Sequence, residues 1–109
     1  MTHIGDTYPR SVVLVEGISD KVAVEALAAR KGRDLRAEGT AVLAIGGAQA
    51  IGNVLRRFGP NGLDTRLSGL CDAAEEVHFR RALERGGLGS DIDRAGMETL
   101  GFYVCEADL

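Results

Sequence analysis

Acidic residues collect where apolar runs end. Glu16 closes "SVVLVEG" (11–17), and Asp20 follows one helical turn later. Asp72 closes "TRLSGLCD" (65–72), with Glu75 and Glu76 just beyond, and Glu106 and Asp108 lie within "FYVCEADL" (102–109). Carboxylates brought to one place repel one another unless something positive stands between them. A hard divalent cation such as Mg²⁺ takes oxygen ligands and is held by one or two carboxylates plus water and phosphate oxygens. Two such ions can stabilise both the attacking and the leaving oxygen when a phosphodiester is cleaved. The competing account is that acids at helix N-termini suit the macrodipole and stay solvated. It serves Glu75 and Glu76 better than Glu16, which directly follows apolar strand residues and precedes any helix.

Other chemistry has less support. Gly46 and Gly47 in "GGAQAIG" (46–52) suit a backbone turn that approaches a phosphate ahead of a helix N-terminus. Their spacing is not that of a dinucleotide fingerprint, and they follow the second apolar run, not the first. His78 stands alone between Val77 and Phe79 and reads as a surface or boundary histidine. Arg56, Arg57, Arg80 and Arg81 form two pairs that could meet a nucleic-acid backbone or lie on solvated helix faces. Ser68 has no nucleophile elbow, and neither Cys71 nor Cys105 has a paired base, so covalent nucleophilic catalysis has no basis.

The elements that must position the acids follow from the pattern. "SVVLVEG" is a continuous apolar run with β-branched residues, as expected of a strand buried on both faces. "SDKVAVEALAARKG" (19–32) is a helix with Ser19 as N-cap and Gly32 as its stop. The unit recurs as strand "TAVLAIGG" (40–47) and helix "AQAIGNVLRRFG" (48–59). Strand "TRLSGLCD" and helix "AEEVHFRRALERGG" (74–87) follow, the helix with Val77, Ala82 and Leu83 as its buried stripe. A Gly- and Asp-rich loop then leads through the short helical stretch "DRAGMETLG" to a last strand (102–109). Alternating strands and crossover helices predict a single α/β domain, residues 11–109, after a loose polar lead over 1–10. Its central sheet is mainly parallel, of about four strands, with helices on both faces. Ligands bind such sheets beyond the carboxyl ends of the strands, which is where these acids arrive.

Composition sets limits on partners. With 109 residues the chain has one domain's worth of core, and its 45 % hydrophobic and 27 % charged residues are an ordinary globular balance. A net charge of −3 means that contact with a polyanion needs a local basic patch or bridging cations. No apolar run reaches the roughly 18 residues of a membrane span, and no signal peptide is visible, so a cytoplasmic protein is expected. The two cysteines do not have metal-motif spacing and are expected to be buried free thiols.

Three stretches together resemble one family. "VVLVEGISDKVAVEAL", then "AVLAIGG", then "LSGLCDAAEE" are similar to the TOPRIM (topoisomerase–primase) domain, in the form found in the overcoming lysogenization defect (OLD) nucleases. The resemblance runs from residue 11 almost to the end. It implies a Rossmann-like fold and Mg²⁺- or Mn²⁺-dependent cleavage or nicking of DNA. It also implies roles: Glu16 as metal ligand or general acid/base, Asp20 as the second acid one turn on, and Asp72 as the first aspartate of a D-x-D pair. The glycines Gly46 and Gly47 would let backbone approach the metal edge or a phosphate, and Asp108 resembles an acid that serves a second metal. The second aspartate of D-x-D falls at Ala74. Glu76, four residues after Asp72, shares a helical face with it and is the candidate replacement, with Glu75 next. OLD nucleases carry an ATPase on the same polypeptide, so the resemblance implies an ATPase partner in trans, and an oligomer is compatible with it.

Three readings follow. The first is a metal-dependent DNA endonuclease. The second, favoured by Ala74, is a catalytically weakened module that binds nucleic acid or a partner ATPase. The third is a receiver-like signalling domain, which also gathers acids after its first and third strands. That fold needs a lysine after a later strand, and no lysine follows Lys31.

Overall fold

The computed structural model describes residues 9–47, 50–60 and 62–105. Strand β1 (Ser11–Val15) leads into helix α1 (Ile18–Arg30), then β2 (Thr40–Ala44), α2 (Ile51–Phe58) and β3 (Arg66–Asp72). A 3₁₀ turn, Ala73–Glu75, joins β3 to α3 (Glu76–Arg85), and α4 (Arg94–Leu100) precedes β4 (Phe102–Cys105). The strands form one parallel sheet in the order β2-β1-β3-β4. The α/β architecture expected from the alternating pattern is therefore the one observed.

Strand alternation divides the core. On one face Val12, Leu14, Cys71 and Phe102 pack with Ile51, Leu55 and Phe58 of α2, Phe79, Ala82 and Leu83 of α3, and Met97 of α4, all in one buried cluster. The opposite face carries α1 against β1 and β2, and the buried Val15, Val42 and Ala28 lie outside that cluster. Gly69 of β3 is where Phe102 comes closest. A Cβ there would stand 2.9 Å from both the Leu14 carbonyl oxygen and the Phe102 ring, so only glycine lets the ring seal the sheet.

Four local expectations need correction. Helix α1 is capped by Gly17, not Ser19, because the Asp20 carboxylate reaches back to accept the Gly17 N–H at 3.1 Å. Helix α3 begins two residues later than expected, since the Asp72 side chain accepts the Glu75 N–H at 3.0 Å and tightens 73–75 into a 3₁₀ turn. That delay turns the helix so that Phe79, Ala82 and Leu83 are buried while Val77 is exposed. Cys71 is buried as expected, but Cys105 is exposed, because it ends β4 at the rim of the sheet. Among the described residues no helix is long and apolar enough to cross a membrane.

Candidate metal centre

The carboxyl edge of β1 lies between those of its two neighbours, and Glu16 is the first residue beyond it. On one side the Gly46 N–H donates to the Glu16 carbonyl at 2.7 Å, one step after the Ile45 N–H donates to Val15 at 2.9 Å. Gly46 and Gly47 have φ of +78° and +148°, which ends the β2 ladder beside Glu16 in a conformation that glycine adopts freely. On the other side the Asp72 N–H donates to Glu16 Oε1 at 3.3 Å. Glu16, Asp20, Asp72 and Cys105 line a cleft of about 220 Å³ between α1 and the β3–β4 half of the sheet, with Ala23, Val24 and Leu70 as apolar walls. Glu16, Asp20 and Asp72 thus share one cleft, and Gly46 and Gly47 adjoin Glu16 from the β2 side.

The electrostatics at this edge are unbalanced. Burial pushes the Glu16 carboxyl above its ordinary value, and the charges of Asp72 and Glu75 push it further, while the hydrogen bond from the Asp72 backbone works the other way. Among the described residues no basic group contributes to that balance. Buried Cys71 is raised to about 12 by desolvation first and then by Glu16, Asp72, Glu76 and Cys105, which leaves it an unreactive thiol at neutral pH. Among the described residues, no three His, Cys, Asp or Glu side chains stand close enough together to hold a metal ion between them. A cation that keeps most of its water needs fewer protein ligands than that. A carboxylate that is partly desolvated and repelled by its neighbours is the kind of group such an ion relieves.

The remaining acids divide. Asp20 and Asp72 each also cap a backbone N–H, so both are held in place by local structure as well as facing the cleft. Ala74, where the resemblance leads one to expect a second aspartate, is an exposed residue of the 3₁₀ turn. Glu76 is engaged elsewhere: its Oε1 accepts from Arg94 at 2.5 Å, and its Oε2 lies 3.7 Å from Arg80 Nε. The hydrogen bond from Arg94 holds the Glu76 carboxyl below its ordinary value. A metal at Asp72 would have to compete with two guanidiniums for it. Asp108 and Glu106 lie outside the described residues. His78 is exposed, Arg56 bonds to Asn53 at 2.6 Å, and Arg57 lies over the Phe58 ring at 5.1 Å.

Arg94 is the residue that sequence reading missed. Glu76 and Arg80 are an i,i+4 pair and visible as such. Arg94 comes from 18 residues further on, across a loop whose course no short pattern reveals.

Comparison with known proteins bears on the fold and the family. Residues 8–73 match the family described as overcoming lysogenization defect protein-like, TOPRIM domain, a span that includes Glu16, Asp20, Gly46, Gly47 and Asp72. No curated protein matches the chain. Among solved structures, the C-terminal region of the Xanthomonas campestris pv. campestris OLD protein is similar over 94 % of this chain, with TM-score 0.78 and 27 % identity. The C-terminal region of the Burkholderia pseudomallei OLD protein is similar over 94 % of the chain, with TM-score 0.77 and 21 % identity, which speaks for the fold alone. The match covers 54 % of the first structure and 57 % of the second, so the chain spans little more than half the length of either.

Proposed function

Because the chain belongs to the OLD-like TOPRIM family, we propose that it is a Mg²⁺- or Mn²⁺-dependent nuclease domain that hydrolyses phosphodiester bonds in DNA. The observation that carries this reading is the juxtaposition of Glu16 and Asp72 on adjacent strand ends, with the Glu16 carboxyl raised by burial and by two acidic neighbours.

Glu16 and Asp72 would hold the cation, with Asp20 as the third carboxylate of the same cleft. A bound divalent ion supplies charge to polarise the phosphoryl oxygens and to favour hydroxide over water. The chain's own part is positioning. The Asp72 backbone N–H fixes one Glu16 oxygen at 3.3 Å and leaves the other for the ion or for a proton. Its raised affinity for protons suits Glu16 to general acid or base work as well as to ligation. The glycine turn at Gly46 and Gly47 leaves room for substrate backbone, since a Cβ at either would meet nothing within 4 Å. Asp108 belongs to the proposed set as a ligand for a second ion, and a partner ATPase in trans belongs to the same proposal.

Ala74 and the engagement of Glu76 favour a second reading, a TOPRIM module that retains metal or nucleic-acid binding but cleaves slowly or not at all. Supercoiled plasmid with Mg²⁺ or Mn²⁺ distinguishes the two. The nuclease nicks it, and Glu16→Gln and Asp72→Asn each lower the rate by about 100-fold or more. Metal binding by calorimetry without nicking supports the second reading. Absence of both nicking and metal binding sinks the proposal.

A further inference from the structure

Two pairs of neighbouring arginines, Arg56 with Arg57 on α2 and Arg80 with Arg81 on α3, have different surroundings. Arg80 lies against Glu76 and donates to the Ile92 carbonyl, on the side of α3 that meets the loop before α4. Arg81 and Arg85, about one turn apart, are exposed on the same helix, and Arg56 and Arg57 are exposed on α2. Among the described residues, none of these last four makes an ion pair with a carboxylate. Helix α2 contains no acidic residue, and Glu84, next to Arg85 in α3, instead accepts the Ile92 N–H at 2.7 Å. Like charges at i,i+4, as at Arg81 and Arg85, destabilise a helix unless something negative relieves them.

Two of the four flank a groove. Leu55 of α2 seats against Gly86, where a Cβ would collide with its side chain, so the two helices close on each other at that point. Beside this contact a groove of about 270 Å³ opens between Gly52, Leu55 and Arg56 on one side and Ala82, Arg85 and Gly86 on the other. The charged groups that line it are two guanidiniums, and glycine and alanine leave room between them. Arg56 is oriented by a neutral partner, the Asn53 side-chain oxygen at 2.6 Å, which takes one of its N–H donors and none of its charge. The larger groove beside α1, about 800 Å³, mixes signs: Lys21 is held by Glu25, Arg33 by Glu38, and Asp34 stands in its wall. A basic residue in a last helical turn suits the macrodipole, which accounts for Arg57 and Arg85 one at a time. It does not account for a groove of one sign in a chain whose net charge is −3.

We propose that the α2–α3 groove binds the phosphodiester backbone of a nucleic acid, with Arg56 and Arg85 on phosphate oxygens and Arg81 beside them. Guanidinium forks match phosphate geometry and keep their charge throughout the physiological pH range. The groove presents no exposed aromatic or large aliphatic anchor of the kind that carries a protein interface, since Leu55 is buried. It lies on the opposite face of the sheet from the acidic cleft, and so makes a second contact and not part of that site. The cleft repels phosphates until a cation is bound, whereas the groove attracts them without one. The inference shares with the proposed function its nucleic-acid partner and does not depend on cleavage.

Fluorescence anisotropy of a short labelled DNA duplex, titrated with the protein in EDTA over a salt series, tests it. Binding is expected without metal, and log K should fall against log salt with a slope of about −3, as for three phosphates. Arg56→Gln and Arg85→Gln, both at exposed positions, should keep the native circular dichroism. Each should make the slope shallower by about one, and the two together should weaken binding about tenfold or more. Arg30→Gln removes the same charge from an exposed position at the end of α1 and should change the affinity by less than about twofold. Glu16→Gln should bind at least as tightly as the wild type, so a failure of cleavage and a failure of this surface are read separately. Three results overturn the proposal: no binding in EDTA at low salt, a loss with Arg30→Gln as large as with Arg56→Gln or Arg85→Gln, or competition by polyglutamate as strong as by unlabelled DNA.

Discussion

The two faces of the sheet are built to different standards. One lies under α2, α3 and α4, whose apolar side chains close a single cluster in which Phe79, Leu83, Ile51 and Met97 are fully buried. The other carries α1 alone, a helix with one buried residue, Ala28, and with Ile18, Val22 and Leu27 more than half exposed. Burial of apolar area is the main stabilising contribution, so the fold rests on the first face. The second has apolar surface that the described residues do not cover. The acidic cleft opens beside α1, on the side with fewer packing constraints.

The largest expected effect tests this contrast directly. Phe79→Ala should cost about 3–5 kcal/mol, since it removes a fully buried ring from the centre of the cluster. Leu27→Ala, at a position 54 % exposed, should cost less than about 1 kcal/mol. Urea denaturation of both variants measures the difference. Equal costs would mean that α1 is as much a part of the core as α3, and the contrast would fail.

A smaller effect separates Glu76 from Asp72, two acids that the family resemblance would set on one cation. Glu76 is held by Arg94 and Arg80, while Arg80 also donates to the Ile92 carbonyl at 3.3 Å, so the ion pairs tie the loop before α4 to α3. Its carboxyl is lowered by Arg94, so its contribution is present above the unfolded-state value and is lost as pH falls through the folded one. Glu76→Gln should therefore lower the melting temperature by a few degrees at neutral pH, and the gap should close below about pH 4. If Glu76 acts as a clamp, the variant retains its metal affinity. A loss of metal affinity as large as that of Asp72→Asn would instead make it the replacement for the missing second aspartate.

Glu16 and Glu76 also mark how far the sequence could be read. The parallel sheet, the order of its elements and the arrival of Glu16 and Asp72 at one edge follow from local periodicity, because buried parallel strands are continuous apolar runs and each ends where polarity returns. The capping of α1 by Gly17 and the late start of α3 were not readable, because both depend on which N–H an aspartate side chain reaches. Either choice is compatible with the same residues. The fate of Glu76 depended on Arg94, brought in by tertiary folding from beyond a loop. The exposure of α1 was hidden for a related reason: "KVAVEALAAR" has apolar residues around most of its circumference, so its pattern does not say which side meets the sheet.

The smallest expected effect concerns Glu16, and its sign is opposite to that at Glu76. Its folded-state carboxyl is raised, so the folded chain holds a proton that the unfolded chain releases, and stability declines as pH rises through that interval above about 4.5. Glu16→Gln keeps an oxygen to accept the Asp72 N–H and removes the repulsion from Asp72 and Glu75. Without metal the variant should melt a degree or two higher than the wild type at pH 7, with no advantage at pH 4. Added Mg²⁺ or Mn²⁺ should reverse the order, because a ligand that binds only the folded state raises the wild-type melting temperature with concentration and has less to bind in the variant. A Glu16→Gln protein that is less stable than wild type at pH 7 without metal would show that the glutamate is held there by favourable contacts, as Glu76 is. An order that metal does not reverse would show that the cleft's acids do not act together on a cation.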